Sequence, residues 1–182
     1  MSGERAILTY RDYEALPADG RRYELHDGEL AVTPAPSPAH QRVCRNLYDV
    51  IGPHVRDRRL GEVFFAPVDV ILDDTTVIQP DLVYLDAARA MLVTARGIEG
   101  PPTLVIEILS PSTTNIDRNT KRQLYLRFGV PHYWIVDLDA RTIEAYTLGP
   151  REYELEARAS GDTPASLPPF SSLALIPASL WP

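Results

Sequence analysis

Two carboxylates and one lysine are the residues of this chain whose types and placement could do chemistry. Asp81 stands just before the apolar run Leu82 to Leu85, and Glu107 lies near the end of the strongly apolar run Thr103 to Leu109. If both runs are strands and lie side by side, their carboxylates can converge on one hard cation of the magnesium or manganese kind, with the Ile108 carbonyl as a further oxygen ligand. An acid in an apolar strand needs compensation, because an unpaired charge there is costly; the alternative is a strand-end glutamate that reaches solvent or an arginine. Lys121 is the only lysine among 18 Lys and Arg residues, a compact point charge where the rest are planar forks. A cation held by Asp81 and Glu107 would lower the pKa of a bound water and stabilise charge on phosphoryl oxygens. Lys121 would orient that water or neutralise the developing charge.

Those roles require Lys121 to point inward. On a helix advancing 100° per residue, Asp117, Leu124, Tyr125 and Phe128 all fall within roughly 60° of Lys121, so the lysine sits in the middle of the stripe that should face a sheet. Its apolar stem can pack beside Tyr125 while the ammonium reaches a polar cavity. A simple Asp117 to Lys121 pair at i,i+4 is the competing explanation, and it would not account for the inward direction.

The elements that must position these groups can be read along the chain. A short helix follows Thr9, and Asp27-Gly28 turns a hairpin between Tyr23–Leu25 and Glu29–Val32. Ser37 and Pro38 are placed as cap and first residue of a helix whose apolar stripe is Val43, Leu47, Val50, Ile51 and Val55. Strands are expected over Glu62–Ala66, Val68–Leu72, Val77-Ile78, Leu82–Leu85, Thr103–Leu109, His132–Val136, Ile143–Leu148 and Tyr153–Leu155, with helices over 86–92 and Asn115–Phe128. The order suggests one mixed sheet with helices packed on it, followed from about residue 163 by a proline-rich tail that wraps the surface.

Composition bounds the rest. The 182 residues suit a single domain, and the hydrophobic content of 45% with 24% charged residues is that of a soluble globular protein. No stretch approaches the roughly 20 apolar residues of a membrane helix, and no basic-then-apolar leader opens the chain, so a cytoplasmic location and no membrane partner are expected. The single cysteine, Cys44, excludes an intrachain disulfide and a cysteine-rich metal site. A net charge of -7 argues against broad, non-specific attraction to nucleic acid. Its distribution is uneven: acids crowd the segment 61–117, whereas 118–135 carries Arg118, Lys121, Arg122 and Arg127 with no acid. That is the pattern of a cation site beside an anion-binding edge, and also of two ordinary solvated faces.

Four ordered motifs carry a resemblance. They are Tyr23-Glu24-Leu25-His26-Asp27-Gly28-Glu29-Leu30, Gln79-Pro80-Asp81-Leu82-Val83-Tyr84, Glu107-Ile108-Leu109-Ser110-Pro111-Ser112-Thr113 and Gly129-Val130-Pro131-His132-Tyr133-Trp134-Ile135-Val136-Asp137. Together they resemble the Uma2 family of restriction-endonuclease-like proteins, a branch of the PD-(D/E)XK nuclease superfamily, over nearly the whole chain. The resemblance implies a restriction-endonuclease-like α/β fold, a central mixed sheet flanked by helices, and hydrolysis of DNA phosphodiesters with Mg2+, for which Mn2+ could substitute. By position, Asp81 matches the first motif acid and Glu107 the second. The superfamily lysine expected two residues beyond that acid is replaced by Leu109, and the Uma2-like pattern supplies Lys121 from the following helix. Glu24 resembles an additional acid near the metal and could bind a second cation or order the water shell. His40, Gln79, Arg118 and Arg122 are candidate substrate contacts; the alternatives are an exposed helix-end histidine for His40 and a solvated face for the two arginines. Duplex DNA is the implied substrate, and a homodimer, joined through sheet edges and the apolar tail at Leu173, Leu175, Ile176, Leu180 and Trp181, would present two sites to its two strands. The other function class compatible with these residues is a nuclease fold kept as a structural or interaction protein without turnover.

Overall fold

The run Leu104–Ile108 forms a strand buried along its whole length, and the remaining elements are arranged around it in the computed structural model, which describes residues 6–111 and 113–181. In chain order, helix α1 (Tyr10–Glu14) precedes the hairpin β1 (Arg22–His26) and β2 (Glu29–Thr33). Asp27 and Gly28 turn that hairpin with φ of 54° and 79°, the left-handed pair that a two-residue hairpin turn requires. Ser37 accepts the His40 amide at 3.2 Å and caps α2 (Pro38–Asp57), with Pro38 as its first residue. There follow β3 (Gly61–Phe65), β4 (Val70–Asp73), β5 (Thr76–Ile78), β6 (Leu82–Asp86), a 3₁₀ turn Ala87–Leu92, β7 (Val93–Thr94), β8 (Gly97–Glu99) and β9 (Leu104–Ile108). A π-helical turn Ile116–Lys121 runs directly into α3 (Arg122–Arg127), and β10 (His132–Asp137), β11 (Thr142–Leu148), β12 (Tyr153–Ser160) and a last 3₁₀ turn Pro177–Leu180 complete the order.

The central sheet has the order β12-β11-β10-β9-β6-β3 and is mixed: β9 and β10 run parallel and the other neighbours antiparallel. The helical segment 116–127 makes the crossover that a parallel pair needs. This is the expected central mixed sheet flanked by helices. The strands expected in one sheet nevertheless divide between two, because β1 pairs with β5 and a second sheet forms in the order β2-β1-β5-β4-β8-β7. Two of its strands, β7 and β8, are too short to announce themselves by alternation. The segment expected as a plain helix over 86–92 is a 3₁₀ turn capped by the Asp86 carboxylate, which accepts the Arg89 amide at 3.1 Å.

Alternation along β9 sorts its side chains to two cores. Leu104, Ile106 and Ile108 meet the α2 stripe of Val43, Leu47, Ile51 and Val55. Val105 and Leu109 meet Leu124, Tyr125, Tyr133 and Ile135 on the other face. Glu107 belongs to that second row. Continuing the antiparallel register beyond Leu82 and Ile106 brings Asp81 of the β6 entrance beside it.

The proline-rich tail is not a surface wrapping. Leu167, Phe170, Leu175 and Leu180 are buried in the α2-side core, Trp134 Nε1 donates to the Pro168 carbonyl at 2.7 Å, and Asn46 Nδ2 donates to the Leu180 carbonyl at 2.9 Å. Leu175 and Leu180, two of the five tail residues on which self-association was expected to rest, are buried inside their own chain, whereas Ile176 is 41% exposed. No helix among the described residues is long and apolar enough to cross a membrane. Because Phe170 packs on His54, Tyr84 and Trp134, Phe170→Ala should cost ~3–5 kcal/mol in urea unfolding, whereas a surface tail would lose under about 0.5 kcal/mol.

Candidate active site

Five charged side chains that the chain would ordinarily keep in water are buried together: Glu24, Asp81, Glu107, Asp117 and Lys121 are each 5% exposed or less. Glu107 enters from β9, Asp81 from the start of β6, Glu24 from β1, and Asp117 and Lys121 from the π-helical turn. Lys121 Nζ donates to Glu107 Oε1 and to Glu24 Oε1, both at 3.1 Å, and stands 3.6 Å from Asp117 Oδ1. Tyr125 Oη donates to Glu107 Oε1 at 2.6 Å. Glu24 is held further by the Gln79 amide, which donates to Oε1 at 2.9 Å, and by His26 Nε2 at 3.1 Å from Oε2.

Asp81 has its own supports. Its Oδ2 accepts the Ile108 amide at 2.8 Å and lies 3.1 Å from His40 Nε2, which is also 3.0 Å from the Ile108 carbonyl oxygen. Both of those partners are acceptors, so Nε2 must carry the proton; Nδ1 is buried without a partner. Arg22 Nη1 reaches Asp81 Oδ1 at 3.4 Å, and Nη2 donates to the Gln79 carbonyl. A cavity of about 200 Å³ opens over these groups, lined by Arg22, His40, Asp81, Glu107, Asp117 and Lys121 among others.

Burial sets the electrostatics and the partners decide the sign. Burial alone would raise the Glu24 pKa, but Lys121, the His26 bond and Arg22 overcome it and hold the group at about 2. Asp81 is likewise lowered against its burial, by His40, Arg22 and the Ile108 amide. Glu107 goes the other way, to about 8, because burial and the neighbouring Asp117, Asp81 and Glu24 outweigh Lys121. Asp117 is also raised, chiefly by burial. Lys121 is pushed up despite burial by Glu107, Glu24 and Asp117, and so stays charged.

The other expected contacts fall elsewhere. Arg118 donates to Glu144 Oε2 at 2.8 Å and Asp137 Oδ2 at 3.3 Å, and Arg122 donates to the Tyr153 carbonyl at 3.0 Å with its guanidinium 4.9 Å over the Tyr146 ring. Neither lines the cavity, since both lie on the side of the helix facing β11 and β12. The Gln79 side chain turns away to Asp69 Oδ1 at 2.7 Å and Tyr13 Oη at 3.1 Å, leaving its backbone to hold Glu24 and Arg22. His40 is buried rather than an exposed helix end. Sequence reasoning missed Arg22, Asp117 and the Glu107 bond of Tyr125 as parts of the site; Arg22 could have been found as the same-face neighbour of Glu24 two residues away, and Asp117 from its i,i+4 relation to an inward lysine.

A family model described as "Uma2: Putative restriction endonuclease" matches residues 10–178. The chain belongs to the Uma2 family. A solved structure described as that of a "putative nuclease belonging to DUF820" from Anabaena variabilis ATCC 29413 is similar with a TM-score of 0.78, covering 95% of this chain and 97% of that one at 23% identity. That likeness speaks for the fold. The sequence matches no curated protein. In this Uma2 chain Leu109, at the place where the superfamily lysine is expected, is 4% exposed and packs in the core with Leu124 and Tyr125, while Lys121 delivers its ammonium to the same acid from the helix.

The donor set suits a hard divalent cation by its charge. Four buried carboxylates, Glu24, Asp81, Glu107 and Asp117, face two permanent cations, Arg22 and Lys121, so two negative charges stand uncompensated. One divalent ion balances them; without it, retained protons do. Among the described residues, no group of three or more His, Cys, Asp and Glu is already gathered in ligating geometry, and the Ile108 carbonyl is shared with His40. A cation entering the site would therefore have to displace retained protons. In metal-free protein Glu107 ionises near 4.5 when unfolded and near 8 when folded. Its contribution to stability is thus complete below pH 4.5 and is lost as pH rises through 8. Urea unfolding in EDTA should show stability falling over that window, and Glu107→Gln should flatten the fall.

Proposed function

We propose that this Uma2 chain is a divalent-metal-dependent endonuclease that hydrolyses phosphodiester bonds of DNA, most simply of duplex DNA in the cytoplasm. The observation that carries this reading is the position of Lys121, whose ammonium crosses from its helix to within 3.1 Å of Glu107 in the cavity that Asp81 also lines. Asp81 and Glu107 are the residues that would hold Mg2+ or Mn2+, with the Ile108 carbonyl as a further oxygen; when bound, the ion supplies a Lewis acid for the phosphoryl oxygens and a more acidic water. Lys121 presents a fixed positive charge where negative charge develops on the phosphate, in a water-poor setting that strengthens it. Tyr125 positions Glu107, His40 and Arg22 position Asp81, and Glu24 fixes Lys121. His40 and Arg22 also line the cavity and would meet the substrate phosphate.

Purified protein incubated with supercoiled, linear duplex and single-stranded DNA in Mg2+ or Mn2+ should cleave DNA, and Lys121→Met or Glu107→Gln should lower the rate by about 100-fold or more. Equal cleavage by wild type and both variants would overturn the assignment. A second reading, a nuclease fold without turnover, is favoured by one observation: Lys121 and Tyr125 both already bond Glu107 Oε1, and His40 takes the Ile108 carbonyl. It predicts no cleavage of any of these substrates and no calorimetric binding of Mn2+.

A further inference from the structure

Asp117 is the acid of the cavity to which the reading above gives no task. It is 2% exposed, lines the cavity together with Asp81 and Glu107, and its Oδ1 is buried without a hydrogen-bond partner. Lys121 Nζ lies 3.6 Å away and is already committed at 3.1 Å to Glu107 and to Glu24. The position is nonetheless firmly built. The Asp117 amide donates to the Thr113 carbonyl at 2.9 Å, and its own carbonyl accepts from Tyr133 Oη at 2.9 Å. An anchored, buried carboxylate whose Oδ1 has no hydrogen bond and only the longer contact to Lys121, in the lining of an acidic cavity, is what a ligand looks like before its cation.

Glu24, which by position would be the extra acid of the metal site, has the opposite character. Its Oε1 accepts from Lys121 and from the Gln79 amide, and its Oε2 is bonded to His26. The Ile108 carbonyl is likewise engaged by His40. The buried carboxylate oxygen left without a hydrogen bond among the described residues is Asp117 Oδ1.

We propose that Asp117 is a cation-binding carboxylate, the third with Asp81 and Glu107, and that Glu24 serves to hold Lys121. The proposal rests on the metal-dependent reading of the same cavity and says which of the two remaining acids touches the ion. The ligand class is a hard divalent cation, Mg2+ or Mn2+, taken by oxygen donors. Asp117 reaches the site from the helical crossover, so the ion would tie that segment to β9 and β6.

Calorimetric titration of the whole chain with Mn2+ in the absence of DNA, paired with thermal unfolding in EDTA, tests this. Asp117→Asn should weaken Mn2+ binding by about tenfold or more, with a metal-free unfolding midpoint no lower than wild type, since one of four crowded acids loses its charge. Glu24→Gln removes one charge beside the cavity but no proposed ligand, so it should weaken Mn2+ binding less than Asp117→Asn does. Asp117→Asn binding as tightly as wild type, or losing no more than Glu24→Gln, would overturn the proposal while leaving metal dependence intact. Failure of the wild type to bind Mn2+ would remove the metal-dependent reading and this inference with it. Should Asp117→Asn not fold, Asp117→Glu keeps the charge but displaces the oxygens by one methylene, and unchanged affinity there would equally overturn it.

Discussion

A carboxylate taken out of water must be met by a positive charge or keep its proton, and in this molecule one ammonium bonds two of the buried acids at once. Lys121 stands 3.1 Å from Glu107 of the central sheet and 3.1 Å from Glu24 of the second sheet. Removing one partner of a buried ionic cluster strands the others, so such clusters hold their surroundings in place even where they add little net stability. Three pieces must therefore keep fixed relations: the helical crossover that carries the lysine, the middle strand that carries Glu107, and the hairpin that brings Glu24 over the top. The apolar cores on either face of β9 supply the free energy, and the ionic cluster dictates how the pieces register.

The alternation of β9 explains how one strand serves both purposes. Leu104, Ile106 and Ile108 face α2 and the tail, while Val105, Glu107 and Leu109 face the crossover helix. A single acid thus replaces one apolar side chain in the second row, flanked by two that exclude water from it. Leu109 helps to seal that row with Leu124 and Tyr125. With position 109 apolar, the cation must come from outside the strand, and the π-helical turn brings Asp117 and Lys121 to the cavity together.

Much of this was legible because it is local. Asp27-Gly28 specifies its hairpin, Ser37-Pro38 its helix start, and the stripe from Val43 to Val55 its buried face; an inward Lys121 follows from simple helical spacing. What escaped depends on partners far along the chain. The buried tail residues Leu167, Phe170 and Leu175 have no helical or strand period, so only the groove they fill identifies them as core. Arg118 and Arg122 read as free charges until β11 and β12 supply Glu144 and the Tyr153 carbonyl. The Ile108 carbonyl looks available as a ligand until His40, 68 residues earlier, is seen to bond to it. Gln79 seems by its motif to face the site, yet its side-chain NH2 is claimed by Asp69 and Tyr13 while only its backbone serves the site.

The Lys121 to Glu24 bond spans 97 positions, and Lys121 to Glu107 only 14. Contacts of long span close late, because the entropy of bringing distant segments together must be met before they return anything. Along the chain Arg22 and His40 precede the Asp81 they hold, whereas Lys121 follows both Glu24 and Glu107, and the tail residues that seal the α2 face come later still. The cluster around Lys121 is therefore complete only when the crossover helix has docked against both β9 and the hairpin.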